Sequence, residues 1–144
     1  MAKNIPQQPV MKYALDACAL IAYFRNEQGG DTLRKLLKEP HNRFFIHAVN
    51  VGEVYYDSVR YSGEEKAEEL FEDIASLPIQ VIWTLDIPFL KIVGKYKTSY
   101  KISYADAFVL ALAEKERAKV ISTDHHEFDP IEMAGVLSFY WLRP

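Results

Sequence analysis

Cysteine is almost missing from this chain. Cys18 is the only one in 144 residues, which excludes an internal disulfide and fits a reducing cytosol. Long hydrophobic runs are missing too. None approaches the roughly 20 residues that cross a bilayer, so no membrane anchor is expected. The opening MAKNIPQQPV is polar and proline-bearing, without the apolar core of a signal peptide. It reads as a flexible leader over residues 1–10, with Met11 available as an alternative start. No repeat, low-complexity tract or internal linker interrupts the remainder, so residues 11–144 read as one domain with one sizeable core. Acids are absent from one place in particular. Between Asp86 and Asp106 there is none, yet Lys91, Lys95, Lys97 and Lys101 all fall there. The net charge of −3 speaks against a protein that simply coats nucleic acid, so this basic run is either a solvated helix face or a local phosphate contact.

What is present alternates. Runs rich in β-branched and aromatic residues occur at KYAL (12–15), RFFIH (43–47), IQVIW (79–83), KVIST (119–123) and SFYWL (138–142). Helical patterns fill the gaps: 17–26, 31–39 with Asp31 as N-cap, a charged pair at 48–62 and 64–76 around Gly63, 86–97 with Pro88 in its first turn, and 103–118. The segment HHEFDP, with Asp129-Pro130, reads as a turn. Strands alternating with helices predict right-handed crossovers and a three-layer α/β/α sandwich around a mostly parallel sheet.

Four acids stand out against this frame. Asp16 sits in the apolar run MKYALDACALIAYF, where an unpartnered buried carboxylate costs several kcal/mol, roughly. It follows a strand, at the carboxyl edge where open α/β sheets keep their sites, and it also suits the N-cap of the next helix. Asp124 repeats the pattern after KVIST. Asp106 lies three residues after Ser103, a capping-box-like spacing, at the polar start of an otherwise apolar helix. Glu53 belongs to a polar stripe with Asn50, Asp57 and Arg60. Gly52 beside it removes bulk inside a helix, as though something approached closely there. Four such acids at one edge repel one another unless a cation lies between them. Hard oxygen ligands suit Mg2+ or Mn2+, with waters retained, and such a cation promotes hydrolysis of a phosphodiester. Ser122 and Thr123 place hydroxyls just before Asp124, where they could position it.

At these residues the chain resembles the PIN-domain nucleases, and among them the VapC-type toxins of toxin–antitoxin pairs. LDACALIAYF is similar to the family's opening acid and helix, NVGEVYY to its glutamate helix, SYADAFVLALA to its third acidic motif and ISTDHHEFD to its fourth. The likeness runs from about Met11 to the C-terminus. It implies a metal-dependent endoribonuclease with Asp16, Glu53, Asp106 and Asp124 as catalytic and metal-binding residues, an RNA substrate, a homodimer and inhibition by a cognate antitoxin. Cys18 departs from the pattern, because many relatives carry an oxygen-bearing side chain two residues after the first acid, and a thiol bonds more weakly.

Three other readings compete. A haloacid-dehalogenase-like phosphohydrolase also wants an acid after the first strand, but its second aspartate would fall where Cys18 stands. A thiol mechanism would use Cys18 with His47, His125 or His126 as base. A non-catalytic module would keep the fold without turnover. For substrate contact, KYKTSYKISYAD interleaves Lys95, Lys97 and Lys101 with Tyr96, Tyr100 and Tyr104. Lysines hold phosphates and aromatic faces stack unpaired bases. The alternative is that these tyrosines pack in the core, Tyr104 above all.

Overall fold

Each of the five β-rich runs forms a strand, and all pair in parallel. The structure is a computed structural model that describes residues 9–144, so most of the expected leader lies outside the described residues. Strands β1 (Met11–Leu15), β2 (Asn42–His47), β3 (Ile79–Ile82), β4 (Lys119–Ser122) and β5 (Phe139–Trp141) lie in the order β3-β2-β1-β4-β5. Eight helices connect them among the described residues: α1 (Ala17–Phe24), α2 (Gly30–Lys38), α3 (Ala48–Ser62), α4 (Glu64–Ala67), α5 (Leu70–Ala75), α6 (Ile87–Ser99), α7 (Tyr104–Glu116) and α8 (His125–Met133).

Side-chain alternation along the strands builds two cores. Tyr13, Leu15, Phe44, Ile46 and Ile121 face one side and pack with Leu20 of α1, Leu33 of α2, Val51 and Val54 of α3, and Leu70 and Ile74 of α5. Ala14, Phe45 and Val120 face the other, against Phe89 and Val93 of α6, residues Ala107 to Ala113 of α7, and Phe128 and Ile131 of α8. Burial on both faces is why these strands read as continuous apolar runs. Each fully buried Leu or Ile contributes roughly 1.5–3 kcal/mol, and α7, buried across seven consecutive residues, is the centre of its layer. The chain steps from β1 to β2 in one direction, and β4 lies on β1's other side. A crevice therefore opens at the carboxyl ends of β1 and β4. Helix α3 packs against both α1 and α7, so it borders that crevice from both layers.

Local departures from expectation have physical causes. Gly29, with φ 98°, is the residue before α2, and Asp31 lies inside the first turn instead of capping it. Gly30 is required by proximity: a Cβ there would come within 2.5 Å of the Ala22 carbonyl oxygen. The segment 64–76 divides into α4 and α5. The expected turn after Asp124 is a helix, because burial of Phe128 and Ile131 outweighs the backbone donor missing at Pro130. Trp83 is 75% exposed just beyond β3, outside the strand. Among the described residues nothing beyond its own helix approaches Gly52, since a Cβ there meets nothing within 4 Å.

These two glycines respond oppositely to the same change. Gly52→Ala should raise stability by about 0.5–1 kcal/mol, through helix propensity and a stiffer unfolded chain. Gly30→Ala should lower it by roughly 1–3 kcal/mol through overpacking against Ala22. Denaturation midpoints of the two variants check this, and a stabilised Gly30→Ala would contradict the packing.

Candidate active site

Strand β1 ends at Leu15, and the next residue is Asp16, 2% exposed. Its Oδ1 accepts the Ala19 N–H at 2.8 Å, which caps α1. Its Oδ2 accepts a short hydrogen bond from the Ser122 hydroxyl at the end of β4. The same Ser122 oxygen accepts the Asp124 N–H at 2.9 Å. One fully buried hydroxyl thus joins the ends of two neighbouring strands and fixes two acids relative to each other. Asp124 in turn caps α8, accepting the Glu127 N–H at 3.3 Å. Thr123 is buried between them and makes no side-chain hydrogen bond among the described residues.

The other two acids come from helices. Ser103 caps α7 by accepting the Asp106 N–H at 3.0 Å, which holds Asp106 in the first turn. Glu53 projects from α3, where Asn50 clamps it. The Asn50 Nδ2 donates to Glu53 Oε1 and to the Ala105 carbonyl, both at 3.0 Å. Asn50 therefore ties the glutamate helix to the residue preceding Asp106. Its Oδ1 is the one buried side-chain polar atom without a partner among the described residues. Sequence reasoning placed Asn50 on a solvated stripe. Only the packing of α3 on α7 buries it, to 1% exposed.

The acids also perturb one another's titration. The Asp16 carboxyl is pushed up to about 7, first by burial and then by Asp106 and Asp124, against the pull of Ser122 and Ala19. Asp106 is raised to about 6, by burial first and then by Glu53, Glu127 and Asp124, while its Ser103 bond opposes this. Burial raises Glu53, and Asn50 partly offsets it. The Cys18 thiol is pushed up to about 12 by burial, then by Asp16, Asp124, Asp106 and Glu53 together. Burial and the acids around it disfavour the thiolate that a thiol mechanism requires, and His47 is engaged elsewhere. The His47 ring is fully buried and stacked on Phe89. Its Nδ1 accepts the Val49 N–H and its Nε2 bonds the Thr84 carbonyl, a role that caps α3.

The donor set suits a hard divalent cation. All the candidate ligands are oxygens, three of them raised in pKa by burial or mutual repulsion, and the orphaned Asn50 Oδ1 adds a further acceptor. Among the described residues no three His, Cys, Asp or Glu side chains are gathered tightly enough to enclose an ion as they stand.

Other expected residues separate into used and free. Tyr96 is buried, its hydroxyl donating to Glu114 at 2.8 Å, so it cannot offer a face to a base. Lys95 pairs with the same carboxylate at 2.6 Å, and Lys97 donates to the Ile102 carbonyl at 2.8 Å. Tyr100 is half-buried and Lys101 exposed. Tyr104, expected in the core, is 56% exposed at the first residue of α7, with its ring edge-on to Phe108. Asp129 belongs to α8 and pairs with His125 at 2.9 Å. The same imidazole stacks on Trp141 and bonds the Arg143 carbonyl, which fastens the C-terminal strand to α8. Glu127, whose charge reaches Asp106, was not singled out from sequence. Only the helical conformation of the segment after Asp124 brings it to the acids.

The PIN domain family model matches residues 13–132. No curated protein matches the chain in sequence. Solved structures match in shape. A chain of VapBC-1 from nontypeable Haemophilus influenzae is 18% identical with a TM-score of 0.69, covering 92% of this chain and 98% of that one. VapC20 of Mycobacterium tuberculosis, a sarcin–ricin-loop-cleaving toxin, is 16% identical with a TM-score of 0.68, covering 92% and 99%. A chain of DNA-bound VapBC from Salmonella typhimurium is 14% identical with a TM-score of 0.69, covering 92% and 98%. At such identities the likeness speaks to the fold.

The raised carboxyls set a pH dependence. Asp16 binds its proton more tightly in the folded chain than unfolded, so the folded state holds more protons between about pH 4 and 7, and stability falls as pH rises through that window. Without divalent metal the loss attributable to Asp16 should be about 2–4 kcal/mol. Asp16→Asn should flatten the profile and stabilise the metal-free protein at pH 7.5. Urea titrations in chelator across pH 4–8 check both, and a profile that rises toward neutrality would contradict the clustering.

Proposed function

The chain belongs to the PIN domain family, and on that premise we propose that it is a metal-dependent endoribonuclease, the toxin of a toxin–antitoxin pair working in the cytosol. The observation that carries the reading is the hydrogen-bonded frame in which Ser122 fixes Asp16 to Asp124 and Asn50 fixes Glu53 to the residue before Asp106, at the topological switch point of the sheet. Its shape likeness to VapBC chains and to a sarcin–ricin-loop-cleaving toxin supports the same reading. The four acids would hold Mg2+ or Mn2+, which supplies Lewis acidity toward the phosphodiester and its attacking water. Asp16 is nearly sealed, so its part is to hold charge. Glu53, Asp106 and Asp124 are half-buried and can hydrogen-bond the attacking water, orient it and accept its proton. Ser122 and Asn50 keep these carboxylates in place through the bonds described above.

Control would use the same charge. An arginine or lysine of the antitoxin would enter the acid pocket, since a guanidinium engages carboxylates in bidentate fashion. The rest of the antitoxin would lie along α3 to α5. A cavity of about 360 Å3 there is lined by Ile21, Phe24, Val54, Tyr61 and Leu70, and the Arg25–Asp57 ion pair borders it. Nearby, Tyr55 stacks on Phe71, and Tyr56 and Phe71 are exposed. The exposed row Trp83, Leu85, Ile87 and Leu90 beyond β3 is apolar surface that a second copy would cover in a homodimer.

Mapped cleavage of total RNA with and without Mn2+ tests the activity. Asp16→Asn and Asp106→Asn should each reduce cutting at least ~100-fold while the fold is retained, and Cys18→Ser should leave it intact. An inactive, folded Cys18→Ser would instead favour thiol chemistry. For control, the complex co-purified with the product of a neighbouring reading frame should be inactive until the partner is removed. Full metal-dependent cleavage by a tightly bound complex would refute occlusion of the pocket.

A further inference from the structure

A second cavity, of about 400 Å3, lies beside the acids, lined by Ser99, Tyr100, Lys101, His126, Glu127 and Pro130. One wall is the loop that leads through the Ser103 cap to Asp106. The other is the first two turns of α8, which begin on Asp124. Glu127 belongs to both places: it lines the cavity, and its N–H donates to the Asp124 carboxylate at 3.3 Å. The cavity therefore lies within one helical turn of Asp124.

The loop wall is held rigid. Lys97 donates to the Ile102 carbonyl at 2.8 Å, the Ile102 N–H donates to the Tyr100 carbonyl at 3.1 Å, and the Thr98 hydroxyl donates to the Gly94 carbonyl at 2.9 Å. Ile102 is buried below it. The Tyr100 ring lies 6.5 Å from Tyr96 and within 21° of parallel, and Tyr96 is locked by Glu114. Tyr100 is thus a backed aromatic platform that loses little freedom on binding. Lys95 and Lys97 are engaged, whereas Lys91 and Lys101 form no ion pair among the described residues, and of these two only Lys101 lines this cavity. An aromatic wall, a free cation at the rim and a carboxylate acceptor match the face, phosphate and amino edge of an unpaired nucleotide. The volume lies in the range of small-ligand pockets, roughly 300–1,000 Å3.

We propose that this cavity is a nucleobase subsite of the reaction centre: a base flanking the scissile bond of single-stranded RNA stacks on Tyr100, its phosphate meets Lys101, and its amino edge faces Glu127. The carboxylate favours bases that carry an amino donor over uracil. The proposal rests on the nuclease reading for its substrate, yet its binding chemistry is measurable apart from turnover.

Binding of fluorescein-labelled hexacytidylate and hexauridylate is measured by anisotropy on Asp16→Asn protein, alone and combined with Tyr100→Ala, Tyr100→Phe, Lys101→Ala or Glu127→Gln. The expected results are about tenfold weaker binding with Tyr100→Ala or Lys101→Ala, near-normal binding with Tyr100→Phe, and preference for hexacytidylate that Glu127→Gln abolishes. Should Tyr100→Ala unfold the chain, the exposed Lys101→Ala and the conservative Tyr100→Phe still decide the matter. On wild-type protein with Mn2+, cut sites in a randomised oligoribonucleotide pool should favour an amino-bearing base at one fixed position, and Tyr100→Ala should relax it through KM. Unchanged affinity and unchanged cut sites in the Tyr100 and Lys101 variants overturn the subsite. Tyr100-dependent binding without any cleavage by wild-type protein would uphold the subsite and overturn the nuclease reading.

Discussion

One hydroxyl holds the carboxyl edge of the sheet together. Ser122 donates to Asp16 and accepts from the backbone of Asp124, so the ends of β1 and β4 and the starts of α1 and α8 meet at a single buried oxygen. The parallel register sets this up, pairing Leu15 with Ile121 and directing the Asp16 N–H to the Ile121 carbonyl at 3.2 Å. A slip of one residue in β4 would turn Ser122 to the opposite face and leave Asp16 buried without its partner. The register of two strands is therefore also the geometry of the site.

Capping and chemistry are one arrangement here. Helices α1 and α8 begin on Asp16 and Asp124, and α7 begins on Ser103 with Asp106 in its first turn. Each helix start directs unpaired N–H groups and a partial positive charge toward the acids, typically worth about 0.3–1 kcal/mol apiece. Those fields let the fold gather like charges, but they do not cancel the repulsion. Burial first, and this repulsion after it, raises the carboxyls of Asp16 and Asp106. What remains is a standing demand for positive charge, which a divalent cation or an arginine side chain is suited to meet.

Charge of the two signs is carried by different elements. The candidate acids lie at the ends of β1 and β4 and on α3 and α7, whereas the lysines of the 91–101 run lie on α6 and the loop after it. Some of those lysines are already engaged. Lys95 and Tyr96 converge on Glu114, which fixes α6 to α7, and Lys97 closes the loop that follows. These contacts tie down the segment from which Tyr100 and Lys101 line a cavity shared with α8.

Sequence by itself determined the five strands and the parallel α/β/α class, and it singled out four acids as candidates, because each follows from local pattern. Buried parallel strands must be apolar, and an acid just beyond such a strand is conspicuous. Tertiary structure alone decided the rest. Asn50 looks like any polar residue on a helix stripe until α7 covers it, and Glu127 looks like part of a turn until Phe128 and Ile131 bury one face of α8 despite Pro130. Tyr96 and Tyr104 exchange their expected roles because burial depends on which side of a helix meets its neighbour. The physical reason is common to all of these. Periodicity reports which face of an element is apolar, whereas the partners a polar side chain finds, and the field it feels, depend on segments distant in the chain.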